Sequence, residues 1–431
     1  MFAGSQIGLR WLNVREELHI CSQHRGGKGL DRQAVVVDST FASVQDSLVT
    51  SEIALALRRC GVSPIVVVPS RSQLATEYRS QGLPVRIICH GRHQTFPWSR
   101  RLLWRLAGWL SAGWQFRRLY RLLRPQVVFV TGDAGWPAVR AATCMRIPCL
   151  WYLRELSPHW ELRSYELFPK RWEGDLILLG RHRCRATFLA SSRTVVRDRL
   201  SEEWLTRTIV LREPVHPRFF RHVTVSATEA RGRCGLPEIS PIVGVLLGLR
   251  PDRYLKFFVK FAKIVRKFVP SVLFAVLTQR GEFALRSVER LQGGRALMDC
   301  IHVLPPSSDP ADFYRACDVV AILDDSSPSG LPALQAMATG RPVVARRQGV
   351  YAEVIRPGIN GLLVRSDEFR KFAEKVLVAL TREETAKRLA TGGREYVLRH
   401  YSAYRFRLRV TRIVRDLACM NPRLGSEAHE C

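Results

Sequence analysis

Short apolar runs alternate with longer amphipathic segments over roughly residues 33–211. Runs rich in valine and isoleucine favour buried β-strands, and the segments between them have helical spacing. This alternation predicts a doubly wound α/β domain with a parallel sheet, because parallel strands need helical crossovers. The predicted strands are 35–37, 64–68, 84–88, 127–130, 149–152 and 188–191, and the predicted helices are 47–59, 73–81, 99–123 and 136–145.

A second series with the same alternation begins at residue 242. Its predicted strands are 242–247, 272–277, 302–304, 319–323, 343–345 and 361–364, and its predicted helices are 254–268, 283–291, 310–317, 367–380, 383–400 and 404–417. The intervening segment contains prolines and charges and has little period, which favours a linker. We therefore predict a loose extension at 1–32, Rossmann-like domains at 33–211 and 242–400, a linker region at 212–241, and a final helix and tail at 401–431.

The segment after the strand predicted at 319–323 has the pattern of an anion-binding turn. A Ser/Gly loop leads into an apolar helix, for which Ser327 or Ser329 is a candidate cap, Pro332 suits the first turn and Gly340 suits the end. The free N–H groups and positive dipole of a helix start attract anions, most often phosphate. Ligands of open α/β sheets bind at the carboxyl ends of the strands, here in a cleft between the two halves. The alternative is an ordinary strand-to-helix turn.

Composition places the chain among globular proteins. It has 431 residues and 46% hydrophobic residues, and its mean hydropathy is -0.06. Its longest apolar stretches, such as 242–249, are too short to span a bilayer. The eleven cysteines include no C-x-x-C pair, which favours free thiols in a reducing cytoplasm. Residues 1–15 lack an apolar segment of signal-peptide length, so we expect a cytoplasmic location.

The charge balance points to anionic partners. Lys and Arg total 67 against 38 Asp and Glu, which gives a net charge of +29. A surface of this kind attracts nucleic acid, anionic lipid or phosphorylated substrates. We regard nucleic acid as unlikely, because no basic low-complexity tail and no basic module with interleaved aromatic residues is present.

Two helices bear on the surface. The segment 98–124 contains four Trp, seven Arg and no acidic residue, a composition typical of a helix at an anionic membrane surface. It predicts peripheral association with the inner face of the plasma membrane; the alternative is a sheet-packing helix with exposed arginines. In the helix 254–268, four lysines lie opposite an apolar face, which favours a solvated helix packed on a sheet.

Several motifs of the second half resemble the retaining glycosyltransferases of the GT-B fold, specifically family 4. The residues 330–332, 336–338, 340 and 342–344 match the family segment Gly-Leu-Pro, Ala-Met-Ala, Gly and Pro-Val-Val in register. Further matches are Asn-Gly-Leu-Leu-Val at 360–364, Arg-Ile-Pro at 146–148, and Tyr-Ser at 401–402 before the final helix. The resemblance covers about 33–418 and implies two Rossmann-like domains facing across a cleft, with the C-terminal helix crossing back to the first domain.

The resemblance implies that the C-terminal domain binds a nucleotide-sugar donor and that the N-terminal domain binds a glycan or lipid-linked acceptor. The helix start at Ser329, Gly330 and Leu331 would then face the donor. Two glutamates of the family segment are absent, because Ser327 and Gln335 stand in their places. In the family, the first contacts the hexose hydroxyls and the second the ribose. Gln335 retains an acceptor oxygen for a ribose hydroxyl.

Charged positions complete the predicted site. Arg250 and Arg253, after the first strand of the second domain, are candidates for binding the diphosphate, and Asp325 could supply a carboxylate to the sugar in place of the missing glutamate. Arg154 and Glu155 occupy the position of a charged family pair and are the candidate catalytic residues, which would orient sugar and acceptor. The alternative for this pair is a structural ion pair.

The resemblance implies transfer of a hexose to a lipid-linked or polysaccharide precursor with retention of configuration, without a metal or other cofactor. The departing phosphate would take the proton of the acceptor, so no dedicated nucleophile is required. One alternative is a catalytically inactive relative that acts as a partner protein. The other is a polyanion-binding protein that uses the basic surface.

Overall fold

Two parallel β-sheets with helices on both faces form the framework of the protein. The computed structural model describes residues 32–39, 44–70, 73–89, 98–132, 135–154, 186–200, 208–220, 225–248, 251–278, 281–305, 308–324, 327–365 and 367–420. The first sheet contains β1 (Gln33–Asp38), β2 (Ser63–Val68), β3 (Val85–Ile87), β4 (Val127–Thr131), β5 (Cys149–Leu153), β6 (Ala186–Ala190) and β7 (Ile209–Val210) in the order β3-β2-β1-β4-β5-β6-β7. The second contains β8 (Ile242–Gly248), β9 (Leu273–Thr278), β10 (Ile301–Val303), β11 (Val319–Ile322), β12 (Val343–Arg346) and β13 (Leu362–Val364) in the order β10-β9-β8-β11-β12-β13.

Helices connect these strands and cover the sheets. Those of the first half are α1 (Val44–Arg59), α2 (Gln73–Ser80), α3 (Trp98–Leu123), α4 (Trp136–Cys144) and α5 (Arg193–Arg199). They are followed by α6 (Ala227–Arg233), α7 (Pro251–Phe268), α8 (Gly281–Arg290), α9 (Pro310–Ala316), α10 (Leu331–Ala338), α11 (Tyr351–Val354), α12 (Phe369–Thr381), α13 (Glu383–Tyr401) and α14 (Ala403–Met420), and 3-10 helices lie at Pro217–Phe220 and Arg295–Cys300.

The apolar runs become strands because both of their faces are covered. In β1, Val35 and Val37 pack in a cluster with Phe116 of α3, while Ala34 and Val36 pack on the opposite face against α1 and α14. A strand buried on both sides has no polar face, so its sequence shows a continuous apolar run rather than alternation. The predicted architecture of two parallel α/β domains is therefore confirmed.

The segment predicted as a linker has a structure of its own. It contains one of the 3-10 helices and α6, which docks on the second sheet. The Arg231 guanidinium donates to both carboxylate oxygens of Asp318, at 3.0 and 2.9 Å, and its Nε donates to the Ala316 carbonyl. Asp318 Oδ2 also accepts from the first amide of β8, Ile242 N–H, at 2.7 Å. These bonds attach the segment firmly to the C-terminal domain, although its sequence lacks a sustained period.

The final helix returns to the first domain. Phe406 and Val410 of α14 lie in one apolar cluster with Ile53 of α1. An ion pair between Arg407 Nε and Glu52 Oε2, at 2.6 Å, borders this contact. The helix that the resemblance placed across the domains does cross back, because α14 supplies the apolar cover for one face of the first sheet.

Helix α3 is half-buried where its side chains are described, from residue 111 onward. Phe116 and Tyr120 are fully buried in the core, whereas Trp114 and Leu122 are 61% and 60% exposed. The Arg118 guanidinium lies over the Trp114 ring at 5.6 Å. Within the described parts of the chain, no helix is both long enough and apolar enough to cross a membrane. Association of α3 with a membrane surface stays a prediction.

Candidate functional site

The turn between β11 and α10 is built around Gly330. This residue is the N-cap of α10 in the left-handed conformation, with φ 73°, and no side chain caps the helix. A Cβ at this position would lie 3.1 Å from Val354 Cγ2 and 3.4 Å from Val350 Cγ1, so the loop packs closely on α11. Glycine is needed here because the backbone is left-handed and because a side chain would press on α11. The first turn of α10, with its Pro at N1 or N2, opens at the carboxyl end of β11 as predicted.

The prediction that Ser327 or Ser329 caps the helix is wrong. Ser327 Oγ accepts from the Gly330 N–H at 3.0 Å, one residue before the helix begins, and so closes the loop rather than capping α10. Ser329 is 4% exposed, and its Oγ has no hydrogen-bond partner among the described residues. Gly330 takes the N-cap position in the left-handed backbone conformation, which glycine adopts without steric cost.

Gln335, one turn into α10, already has a partner. Its Oε1 accepts from the hydroxyl of Tyr314 on α9 at 3.4 Å, a long and weak hydrogen bond. Tyr314 is fully buried, and burial raises the pKa of its phenol well above the ordinary value, so the phenol keeps its proton. Its hydroxyl therefore stays a donor to Gln335.

On the first domain, Arg154 follows β5 and is paired with a residue distant in sequence. Its Nε lies 2.6 Å from Glu213 Oε1, and the two side chains are only 5% and 3% exposed. Beside them, the Tyr152 hydroxyl donates to the Leu211 carbonyl at 2.5 Å. Glu155 lies outside the described residues. The structure thus shows a buried ion pair for Arg154, and its catalytic role remains a proposal.

The residues predicted to bind the diphosphate and the sugar of the donor lie mostly outside the described part of the chain. Arg253 lies in the first turn of α7 with its side chain outside the described set, and Arg250 and Asp325 are outside it altogether. A further cation, which the sequence did not suggest, ends β12. The Arg346 guanidinium lies over the Tyr254 and Phe257 rings, at 5.2 and 5.1 Å, and donates to the Leu323 carbonyl.

The position of Arg346 follows from the strand order. Strand β12 neighbours β11, and Leu323 directly follows β11, so the guanidinium lies at the carboxyl edge of the second sheet beside the first turns of α7. Arg346 is the charged last residue of an otherwise apolar strand, and this sequence pattern would have identified it as a candidate.

Glu353 of α11 connects the two domains. Its Oε2 accepts from the Arg193 N–H at 3.0 Å, and its Oε1 accepts from the Thr194 N–H at 2.7 Å and from the Thr194 hydroxyl. These donors open α5 of the first domain, where a carboxylate is favoured by the free amides. Nearby, the hydroxyl of Ser192 donates to the Pro328 carbonyl at 2.7 Å. The loop before α10 and helix α11 are therefore both held against the first domain.

We expect Glu353→Ala to free the start of α5. Hydrogen bonds to a charged group contribute about 1.5–3 kcal/mol each, so amide exchange in the peptide 191–199 should accelerate by about 10–100-fold. Hydrogen–deuterium exchange with mass spectrometry measures this change. Glu374→Ala, which removes an exposed carboxylate from α12, is the matched control. Unchanged exchange at 191–199 in Glu353→Ala would show that the contact is not maintained in solution.

At the end of β1, Asp38 forms a buried network that sequence reasoning also missed. Its Oδ2 accepts from the Thr50 hydroxyl at 3.1 Å and from the Tyr78 hydroxyl, and it is fully buried. The network ties the end of β1 to α1 and α2. Asp38 directly follows the apolar run of β1, which is the same signal as at Arg346.

A cavity of about 280 Å³ lies between the domains, and we call it the interdomain cavity. It combines residues that follow β6, residues at and after β7, the loop before α10, helix α11, the last residue of α13 and the first half of α14. The lining residues are Ser191, Ser192, Arg193, Val210, Arg212, Ser329, Val350, Glu353, Val354, Tyr401 and Arg409.

Comparison with known sequences assigns the C-terminal half. The family model described as Glycosyl transferases group 1 matches residues 228–396. A D-inositol 3-phosphate glycosyltransferase from Geodermatophilus obscurus is 33% identical over 133 residues, which are 30% of this chain and 28% of that protein. Its counterpart from Stackebrandtia nassauensis is 27% identical over 179 residues, 39% of this chain and 40% of the relative. The chain thus spans less than half of the length of these curated relatives, and the family model covers less than half of the chain.

Comparison with solved structures concerns the whole fold. A glycosyltransferase from Rickettsia africae ESF-5 superposes with a TM-score of 0.69 at 16% identity, covering 90% of this chain and 98% of that one. The Anabaena protein HepE, solved in complex with UDP and glucose, gives a TM-score of 0.68 at 16% identity and covers 89% and 100%. At this identity the likeness establishes the fold, which is the GT-B architecture predicted from the sequence.

Proposed function

We propose that this protein is a glycosyltransferase that moves a hexose from a nucleotide sugar to a lipid-linked or polysaccharide precursor with retention of configuration. The observation that carries the proposal is the Gly330 turn. It opens an uncapped helix at the carboxyl end of β11, within a glycosyltransferase group 1 domain and facing a second Rossmann-like domain. Structural neighbours in complex with UDP and glucose support a nucleotide-sugar donor.

The chemistry follows from where charge develops. As the nucleoside diphosphate leaves the anomeric carbon, negative charge grows on its phosphate oxygens. In the proposed arrangement the start of α10 and the arginines at 250 and 253 stabilise this charge. The leaving phosphate accepts the proton of the attacking hydroxyl on the same face of the sugar, so no protein nucleophile is needed. Leu331 and Asp325 belong to the proposed donor contacts, whereas the buried side chain of Ser329 lines the interdomain cavity instead.

Arg154 takes a positioning role in this proposal. Its pairing with Glu213 fixes the chain directly after β5, at the end of the strand that leads to Glu155. Glu155 would then orient the sugar and the acceptor from a rigid base. A rigid support of this kind matters because small displacements of groups in an active site lower the reaction rate by large factors.

A second candidate function is supported by the partners of Ser327 and Gln335. Ser327 Oγ is occupied by the Gly330 N–H and Gln335 Oε1 by the Tyr314 hydroxyl. Each side chain at the positions of the family glutamates thus accepts one hydrogen bond from within the protein and carries no negative charge, as expected of an inactive relative that binds a nucleotide and acts as a partner protein. The two functions differ in turnover and not in binding.

The test of this proposal measures both nucleotide binding and sugar transfer. Thermal shift with a panel of nucleoside diphosphates identifies the nucleotide, because a ligand of the native state raises stability by mass action. The corresponding nucleotide sugars are then incubated with glycan and lipid-linked acceptors, and the anomeric configuration of any product is determined by NMR. A product of retained configuration supports the transferase. Nucleotide binding without turnover of any donor supports the inactive relative, and the absence of nucleotide binding contradicts both.

We expect Gly330→Ala to weaken binding of the nucleoside diphosphate by tenfold or more. A left-handed alanine costs about 1–2 kcal/mol, and its Cβ would press on Val354 at 3.1 Å, so the loop must move away from its place at the helix start. Isothermal titration with the nucleotide found above measures the loss. Gly340→Ala is the matched control, because Gly340 also has a positive φ, of 75°, at the other end of α10 and has open space around it. Equal losses in both variants would contradict a role for the Gly330 loop in binding.

A further inference from the structure

Three arginines line the interdomain cavity; the exposed Arg193 bonds Glu353 through its backbone N–H, and Arg212 and Arg409 are the other two. Arg212 and Arg409 make no ion pair or hydrogen bond with any residue that the structure describes, and Arg212 lies over the Tyr401 ring at 5.8 Å. The cavity is also lined by one carboxylate, that of Glu353. Both of its oxygens already accept hydrogen bonds from the start of α5. The two guanidinium groups therefore supply positive charge that the described residues balance only in part.

The surroundings of these arginines show their mutual repulsion. The pKa of Arg409 is lowered by burial and, after that, by the nearby charge of Arg212. The pKa of His400 is also lowered, first by burial and then by Arg212, Arg356 and Arg409. Like charges that are close together and partly removed from water raise the free energy of the protein. A bound anion would relieve this cost.

Two buried hydroxyl groups line the same cavity. Ser191, after β6, and Ser329, before α10, are 3% and 4% exposed, and their Oγ atoms lack hydrogen-bond partners in the described structure. Buried polar groups are nearly always hydrogen-bonded, so each of these calls for a ligand or an ordered water. They lie in different domains, and the cavity therefore offers donors on both sides.

We propose that the interdomain cavity is a second anion site, which binds a small molecule that carries a phosphate group. Guanidinium groups and hydroxyl donors together are the groups that recognise phosphate oxygens in proteins. The volume of about 280 Å³ lies at the lower limit of small-molecule sites, about 300 Å³, so it suits a phosphomonoester and is too small for a whole nucleotide sugar. This inference goes beyond the donor site proposed above, which lies at the start of α10.

The positions of the lining residues indicate how a bound ligand would affect the contact between the two domains. It joins Ser191 of the first domain, Ser329 of the second and Arg409 of the returning helix, so a ligand would hold all three together. Since Ser329 directly precedes Gly330, the same ligand would restrain the loop that we assign to the donor. Occupation of the cavity is thereby expected to favour the closely packed arrangement of the two domains.

The test uses the full chain, with inorganic phosphate and glycerol 3-phosphate as probes and glycerol as the neutral comparison. Isothermal titration is carried out on the parent, on the double variant Arg212→Gln/Arg409→Gln, and on Arg399→Gln/Arg405→Gln. The last pair removes the same charge from exposed positions near the cavity that do not line it. We expect binding to both phosphate probes and not to glycerol. The cavity variant should lose about 100-fold in affinity or more, since two charge-assisted contacts are removed. The control should change by less than about threefold, as for screened exposed charges.

A second measurement does not depend on the variants. Hydrogen exchange of the parent should slow at 191–195 and 329–334 when phosphate is added. In addition, the phosphate titration is repeated with saturating nucleoside diphosphate. This shows whether the cavity binds a separate phosphate or the diphosphate of the donor. Undiminished phosphate binding in the presence of the nucleotide supports a separate site. Competition between the two would overturn the proposal, because the cavity would then hold the diphosphate of the donor. Absence of phosphate binding by the parent, or equal losses in both double variants, would overturn it as well, and neither result depends on turnover of a sugar.

Discussion

Replacing Glu213 by alanine is expected to lower the free energy of unfolding by about 3–5 kcal/mol, because it removes the carboxylate that pairs with the buried guanidinium of Arg154. The pair is 2.6 Å apart, and both side chains are more than nine-tenths buried. Glu213 belongs to the segment that leads from the first domain to the second, so its loss should also loosen this connection. Denaturant unfolding, followed by far-UV circular dichroism, measures the change.

The double variant Arg154→Met/Glu213→Leu tests whether the loss of stability comes from breaking the ion pair rather than from replacing Glu213 itself. When both charges are removed together, no uncompensated charge is left behind, and we expect most of the lost stability to return. Glu383→Ala is the control for an exposed ion pair, since Glu383 and its partner Lys387 are 78% and 74% exposed. It should leave stability nearly unchanged. If Glu213→Ala is no more destabilising than Glu383→Ala, the ion pair is not formed in solution.

The other large effect concerns the missing glutamates. We expect the parent to be a slow transferase, and we expect Ser327→Glu/Gln335→Glu to increase its turnover with the matching donor by about 10–100-fold. A hydrogen bond to a charged group contributes about 1.5–3 kcal/mol, and each 1.36 kcal/mol off the barrier is about tenfold in rate. Release of nucleoside diphosphate in the presence of acceptor measures turnover.

The matched control is Ser327→Gln/Gln335→Glu, in which the side chain at 327 has the length of glutamate without its charge. A gain in the glutamate variant that this control lacks assigns the effect to the carboxylate at 327. If the parent is inert with every donor and only the glutamate variant turns over, the natural protein is an inactive relative, and the proposed transferase activity is wrong. If neither protein turns over, the two positions do not limit the reaction.

The fold was predictable because its determinants are local. The apolar run of β11, the Gly/Ser loop and Pro332 in the first turn of α10 are adjacent in sequence, and their order alone specifies strand, turn and helix. Most strands of the two sheets were likewise visible as apolar runs, because parallel sheets bury both of their faces. The exceptions are β3 and β10, which contain Arg86 and His302, and β7, which was not predicted. Architecture of this kind is encoded within windows of about ten residues.

The candidate site was only partly predictable because its contacts are distant in sequence. Arg154 pairs with Glu213 across 59 residues, and Glu353 reaches Thr194 across 159. No spacing or periodicity in the chain marks such partners. Arg212 and Arg409 enter one cavity because the chain passes between the domains twice, which only the tertiary structure shows.

The return of α14 to the first domain has a consequence for synthesis on the ribosome. Ile53 of α1 and Phe406 of α14 share one cluster, although about 350 residues separate them, so the first domain cannot complete its core until α14 has been made. All strands of the second sheet, β8 to β13, precede α14 in sequence and are therefore synthesised before it. Until α14 has been made, the part of the first sheet's face that α14 covers, beside α1, stays open to solvent and to other chains. We therefore expect the core of the second domain to be completed before that of the first, in the reverse of their order of translation.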